Sequence, residues 1–150
     1  MEVAGWVSTF LDKDKPSALM IDVVGLGSGV YDRLNELKKE VVPVNVGEAA
    51  SGHEEGGEES KNVYFNLKAQ IFYALRDKFK PVNGKSMVSI PNDARLIEEL
   101  KEIRYTFDSR KRRRIEGKEQ MKKRLGRSPD KADALALSFM AGDDKLEFYL

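Results

Sequence analysis

The stretch Ala18–Val24 (ALMIDVV) constrains this chain most: a short, nearly continuous apolar run, β-branched in part, broken by one acid, Asp22. It is too short for a helix that must bury a whole face and reads as a buried, parallel strand. The segments around it have a different period. Val3, Trp6, Val7, Phe10 and Leu11 follow i, i+3, i+4, i+7, i+8 spacing, which predicts an amphipathic helix ending at Lys13–Pro16. Gly25–Gly29 (GLGSG) is a turn, and Val30–Lys39 returns to helical spacing through Val30, Leu34 and Leu37. Val41–Val46 reads as a second strand, with Pro43 marking an edge or an irregular start. Strand and helix alternate, so the expected class is α/β, a sheet between helices.

The second half mixes patterns. Gly47–Ser60 is polar and Gly-rich, and residues 47–60 are expected to form a mobile loop. Asn62–Phe79 predicts one long helix with a stripe of Phe65, Ala69, Phe72, Leu75 and Phe79. Lys85–Ile90 is a short strand or extended segment, and Asn92 is placed to cap a helix over Asp93–Leu100. Glu102–Asp108 and Arg112–Glu116 predict a hairpin. Lys118–Leu125 is a short basic helix. Ser128, Pro129 and Asp130 form a helix start signal, with the helix running to Ala141, Gly142 ending it and 142–150 a tail. No internal repeat is present, and the 150 residues suit a single domain.

Composition narrows the chemistry. With no Cys, a disulfide scaffold, a thiolate zinc site and a Cys nucleophile are excluded. The only His, His53, lies in the Gly/Glu loop, which argues against Ser-His-Asp catalysis and multi-His metal sites. A catalytic metal would then need carboxylate ligands, hard oxygen donors that favour Mg²⁺ or Mn²⁺. No run of about 18 apolar residues suggests a membrane span, and the N-terminus lacks the pattern of a secretion signal. The expectation is a soluble, cytoplasmic protein. The net charge of +1 conceals an uneven layout: Arg104 to Arg127 holds eleven Lys/Arg against three Asp/Glu.

Three constellations bear chemistry. Asp22 sits inside an apolar strand, where an unpaired charge is costly; it serves either to bond backbone N–H groups of the glycine turn or to face a ligand at the strand's C-terminal end. GLGSG does not fit G-x-G-x-x-G, because position 30 is Val, so no dinucleotide site is expected. Asp130 and Asp133 share a helix face near its N-terminus, and with Asp22 they compose a layout able to hold two divalent cations about 3.5–4 Å apart. Arg110, Lys111, Arg112, Arg113 and Arg114, followed by Lys118, Lys122, Lys123 and Arg124, form a basic stripe suited to phosphate backbones without base reading.

ALMIDVVGLGSGVYDRL (18–34), NVYFNLKAQIFYALRDKF (62–79), DARLIEELKEIRYTF (93–107) and GKEQMKKRLGRSPDKADALALSF (117–139) together resemble the C-terminal nuclease domain of the large subunit of tailed-phage terminases. The D-x-x-D-A-L-A-L core also resembles the closing helix of Holliday-junction resolvases. The resemblance implies an RNase H-like mixed sheet flanked by helices. It implies a Mg²⁺- or Mn²⁺-dependent, two-metal endonuclease cutting concatemeric double-stranded DNA during packaging in a bacterial host cell. Asp22 matches the acid of the fourth strand and Asp133 that of the closing helix, with Asp130 its near partner. The partners implied are double-stranded DNA, the ATPase motor, the small subunit and the portal. The family's opening three-stranded meander, which supplies a further essential Asp, has no counterpart in this sequence, and no phosphate-binding loop of the motor occurs. The chain is therefore expected to lack the first strands of the fold, to be a partial domain and either an active nuclease or an inactive DNA- or partner-binding remnant. An uncovered sheet edge near Ile21 is expected to drive homo-oligomerisation.

Overall fold

A computed structural model describes residues 2–86 and 88–140. They fall into two compact units divided between Glu48 and Ala49. No described helix is long and apolar enough to cross a membrane.

The smaller unit holds α1 (Glu2–Asp14), β1 (Met20–Asp22), α2 (Gly27–Glu36) and β2 (Val42–Val44). The two strands pair in parallel, with Met20 opposite Val42, Ile21 opposite Pro43 and Asp22 opposite Val44. The ladder explains how Pro43 is accommodated. Val42 N–H donates to the Leu19 carbonyl at 2.8 Å and the Val44 carbonyl accepts from Val23 N–H at 3.0 Å. The bonds therefore come from the residues flanking Pro43, whose missing donor would face away from β1. Both strands are shorter than their apolar runs, and β1 is half-buried rather than buried.

The glycine-rich segment after β1 is a tight strand-to-helix turn in which backbone passes close to backbone. Gly25 adopts φ +75°, and α2 starts at Gly27, three residues before the first apolar position of its stripe. A Cβ on Gly27 would lie 1.7 Å from the Asp22 carbonyl oxygen, so the first turn of α2 rests directly on the end of β1. Leu34 is fully buried, and α1 packs on α2. The buried residue of α1 is Ala4, whereas Val3 and Trp6 of the expected stripe are exposed and Trp6 stacks on Phe10 at 6.3 Å. Side-chain size accounts for this: the small face permits the close helix approach, and the large rings turn outward.

The larger unit holds α3 (Ser60–Val63), α4 (Leu67–Lys78), α5 (Ala94–Glu102), β3 (Tyr105–Phe107), β4 (Arg113–Ile115), α6 (Lys118–Leu125) and α7 (Asp130–Met140). The long helix expected over Asn62–Phe79 is broken at Tyr64–Asn66. Phe65 N–H donates to the Arg113 carbonyl at 2.8 Å, and Asn66 Oδ1 caps α4 by accepting from Ala69 N–H at 3.1 Å. The cap of α5 is Asp93 rather than Asn92: its Oδ1 accepts from the N–H groups of Arg95 and Leu96 at 2.9 and 3.1 Å. The carboxylate is the stronger acceptor for a helix N-terminus. Residues 85–90 form no strand among the described residues. β3 and β4 make the expected antiparallel hairpin, Tyr105 opposite Ile115 and Phe107 opposite Arg113.

The core lies where α4 and α5 meet α7. α4 buries Ala69, Ile71, Phe72, Tyr73 and Leu75, and α7 buries Ala132, Ala136, Leu137 and Met140. The polar segment ahead of α3 is tied to this core by side chains. Gln70 accepts from Ser51 N–H at 3.0 Å and donates to the Ser51 carbonyl at 2.6 Å, while Glu54 accepts from Ser60 Oγ and Tyr64 OH at 2.7 and 3.1 Å. Burial, then the Glu54 carboxylate, pushes the Tyr64 hydroxyl up to about 12. Ala141, Gly142 and the 142–150 tail lie outside the described residues.

Two glycines of α2 separate backbone crowding from helix propensity. Gly27→Ala should destabilise the protein by about 3 kcal/mol, because the new methyl meets a carbonyl rather than a flexible side chain. Gly29→Ala, with nothing within 4 Å of its Cβ, should stabilise by about 0.5–1 kcal/mol. Urea unfolding of both variants measures the contrast.

Candidate carboxylate site and nucleic-acid interface

Asp22 ends β1, where the chain leaves the strand. Its Oδ1 accepts from Val24 N–H at 2.9 Å, and the side chain is half-buried. The carboxylate therefore bonds a backbone N–H just ahead of the glycine turn rather than one within it.

Asp130 and Asp133 belong to the other unit, on the first turn of α7. Asp130 is exposed. Asp133 is largely shielded and faces two cations: Lys68 Nζ of α4 lies 2.9 Å from Oδ1 and Lys118 Nζ of α6 lies 3.7 Å from Oδ2. Lys68 is itself only 18% exposed, so this is a charge-assisted bond largely withdrawn from water. Among the described residues, no three His, Asp or Glu side chains group closely enough to hold a metal ion. The donor chemistry of Asp133 suits a hard cation, yet the ammonium groups of Lys68 and Lys118 already balance its charge. A divalent cation there would have to displace them.

The position of α7, and with it of both acids, is set by a residue the sequence pattern did not single out. Glu99 of α5 is fully buried, and its Oε2 accepts from the N–H groups of Lys131 and Ala132 at 2.8 and 3.0 Å. Its Oε1 accepts from Arg95 Nε at 3.2 Å and lies 3.5 Å from the buried Arg127 Nε. The Ser128-Pro129-Asp130 signal places the helix start correctly, but this carboxylate from another helix takes two of its free donors. Asp93, the α5 cap, also bonds Lys131 Nζ.

The basic stripe divides into displayed and engaged side chains. Asp108 organises the hairpin turn: Oδ1 accepts from the N–H groups of Arg110 and Arg112 at 2.9 and 2.8 Å, and Lys111 takes φ +61°. Arg110 and Lys111 are exposed at this tip, as are Lys122 and Lys123 on α6, and none of the four forms an ion pair among the described residues. Arg112 is instead held by Asp108 Oδ2 at 2.8 Å. Arg124 bridges Glu116 and Glu102, whose Oε2 is 3.1 Å from its Nε. The strand period sorts the hairpin arginines onto aromatic rings. Arg112 and Arg114 lie over Phe65 at 5.3 and 4.5 Å, and Arg113 lies over Tyr64 and Tyr73 at 5.7 and 5.0 Å. Tyr64 and Phe65 occupy the break that precedes α4, so the basic strand and the aromatic break are one construction.

Of the residues singled out from sequence, the larger unit brings Asp133 together with Lys118 and arrays the hairpin basics, while Asp22 stands in the smaller unit. Lys68 and Glu99 were missed; a charged residue inside each of two otherwise helical apolar patterns was the available signal.

No protein-family model matches the chain, and no curated protein matches it. Solved structures do. A point mutant of the nuclease domain of the large terminase subunit of bacterial virus Sf6, with manganese and beta-thujaplicinol, matches with a TM-score of 0.71 and 22% identity, over 91% of this chain and 70% of that one. The same domain without those additions matches with a TM-score of 0.68 and 24% identity, over 89% of this chain and 69% of that one. A mutant form with calcium gives the same values. The chain has the fold of that nuclease domain, as the motifs resembling the terminase family implied.

The ion pairs give the unit an acid limit. The Arg124 guanidinium holds the Glu116 carboxyl below its ordinary value of 4.5, against the opposing push of burial. Lys131 likewise holds Asp93 below its ordinary value of 3.8. A lowered carboxyl contributes stability that is complete above its ordinary value and is lost as pH falls through the lowered one. Melting temperature should therefore stay level from neutral pH to near 4.5 and drop below it. Glu116→Gln should melt lower at neutral pH, with the gap to the parent closing on acidification; calorimetry across that range measures it.

Proposed function

We propose that this chain is a metal-dependent endonuclease domain of a phage or prophage packaging terminase, acting on double-stranded DNA. The observation that carries the reading is Asp133: a shielded carboxylate at the start of α7, against Lys68 of α4 and Lys118 of the basic helix α6, in a fold shared with a terminase nuclease domain. Asp133 and Asp130 at the start of α7 are the candidate metal ligands of the larger unit, and Asp22 at the end of β1 is a candidate within the smaller one. A Mg²⁺ or Mn²⁺ ion, or a pair of them, would supply an activated water and neutralise charge on the leaving oxygen of a phosphodiester. The chain's own part is to present the carboxylates and to hold the phosphate backbone against Arg110, Lys111, Lys122 and Lys123. The substrate is concatemeric DNA, and the ATPase motor, small subunit and portal are the assembly partners. Self-association through the β1 edge belongs to the same proposal.

A second reading is favoured by the two lysines on Asp133. Lys68 and Lys118 balance the charge that a cation would need, and this suits a module that binds DNA or a packaging partner without cutting it.

Incubation of the purified chain with supercoiled plasmid and Mn²⁺ separates the two. Asp133→Asn should reduce nicking by more than about 100-fold, beyond the loss typical of residues that merely support a metal ligand, with duplex binding retained. Salt-dependent binding with no cleavage by the parent supports the second reading, and no binding at low salt overturns both. For the interface, Arg110→Ala with Lys111→Ala should lower the slope of log affinity against log salt by roughly 2, at about 0.9 for each phosphate no longer neutralised. Anisotropy titrations over a salt series measure it; an unchanged slope removes the tip from the interface.

A further inference from the structure

The hairpin face turned toward α4 carries two exposed rings. Tyr105 and Phe107 are 58% and 60% exposed, although they project on the same side of β3. Their rings meet edge to face at 5.9 Å and 89°, and Tyr105 meets the buried Tyr73 of α4 at 5.9 Å and 74°. Two guanidinium groups lie against the Tyr73 ring, Arg76 at 4.5 Å and Arg113 at 5.0 Å. Beside this row opens a cleft of about 190 Å³ walled by Phe72, Tyr73, Phe79, Leu100 and Tyr105, with Arg76 at its lining. That is well below the roughly 300–1,000 Å³ of sites enclosing a whole drug-sized ligand, and it suits one planar ring system.

We infer that this row and cleft form a stacking platform for an unpaired DNA strand, one base set against Tyr105 at the cleft and its neighbour against Phe107. The inference rests on the DNA-binding reading above and adds a strand state to it. Charge selects the occupant. An apolar protein side chain would fill the cleft but leave the cations without a use, whereas a nucleotide brings both a flat ring and an anion. Arg76 is half exposed, and its nearest acid, Asp77, is shared with Lys80, so the rim keeps a net positive charge. Arg113 joins the row to the basic tip at Arg110 and Lys111, extending a cationic track along which a backbone would run. Every base has a π-face, so such a platform reads no sequence.

The test uses the full chain with two labelled probes of equal length, an oligothymidylate and a duplex, followed by anisotropy. Tyr105→Ala with Phe107→Ala should weaken oligothymidylate binding about tenfold or more and leave duplex binding within about twofold. Both side chains are exposed, and circular dichroism verifies folding. Tyr105→Trp should restore most of the loss. A 2-aminopurine base in the single strand should be quenched by the parent and not by the double variant. Equal weakening of both probes, unchanged single-strand binding, or duplex binding without single-strand binding would each overturn the platform, the last pointing to a protein side chain as the occupant. Single-strand binding that depends on the two rings, without duplex binding or cleavage, would uphold the platform while the nuclease reading fell.

Discussion

The buried carboxylate of Glu99 is the contact on which the larger unit depends. It joins α5 to the first turn of α7 through two backbone donors and gathers Arg95 and Arg127 around the same charge. A fully buried acid is costly unless its oxygens are bonded, and here both are. Removing it would leave orphaned helix donors and a guanidinium beside them, a loss in the range of about 3–5 kcal/mol for breaking a buried pair. What it fixes is the starting point of α7, and so where Asp133 meets Lys68.

The basic stripe serves two physical purposes in one segment. Arg112, Arg113 and Arg114 are spread over Phe65, Tyr64 and Tyr73, interactions worth about 0.5–2 kcal/mol each according to their shielding. Arg124 is locked between Glu102 and Glu116. These four side chains brace the hairpin against α4 and α6. The free cations are at the turn and on the outer side of α6, where burial is lowest and phosphate binding is cheapest in desolvation. A count of Lys and Arg along the chain does not separate the two groups; the strand period and the acids at 102, 108 and 116 do.

Much of the architecture was legible because local patterns agreed with tertiary demands. The apolar run at Ala18–Val24, the hairpin alternation around Tyr105 and Phe107, and the Ser128-Pro129-Asp130 start signal all recur as elements. Two of the failures trace to a tertiary partner. The Asn62–Phe79 stripe breaks because the backbone of Phe65 is claimed by β4, 48 residues on, counting from Phe65 to Arg113. In α1, Val3 and Trp6 are exposed while Ala4 is buried, because the small side chain permits a closer approach than the Trp6 ring. Of the candidate site, the acids on α7 and the tip basics could be read from spacing, whereas Lys68 and Glu99 act through partners 65 and 32 to 33 residues away. No window along the sequence brings such pairs together.

The outward-facing ring of α1 has a spectroscopic consequence. Trp6 is the only tryptophan in the chain and is 71% exposed, with Phe10 as its aromatic neighbour. Its indole emission is therefore that of a solvated fluorophore even in the native protein, and it reports the environment of the first helix. Melting of the hairpin and the helices that brace it would pass almost silently in that channel, while the tyrosines clustered at positions 64, 73 and 105 would register it in near-ultraviolet dichroism. One chain thus carries two separate optical labels, one for each half of its architecture.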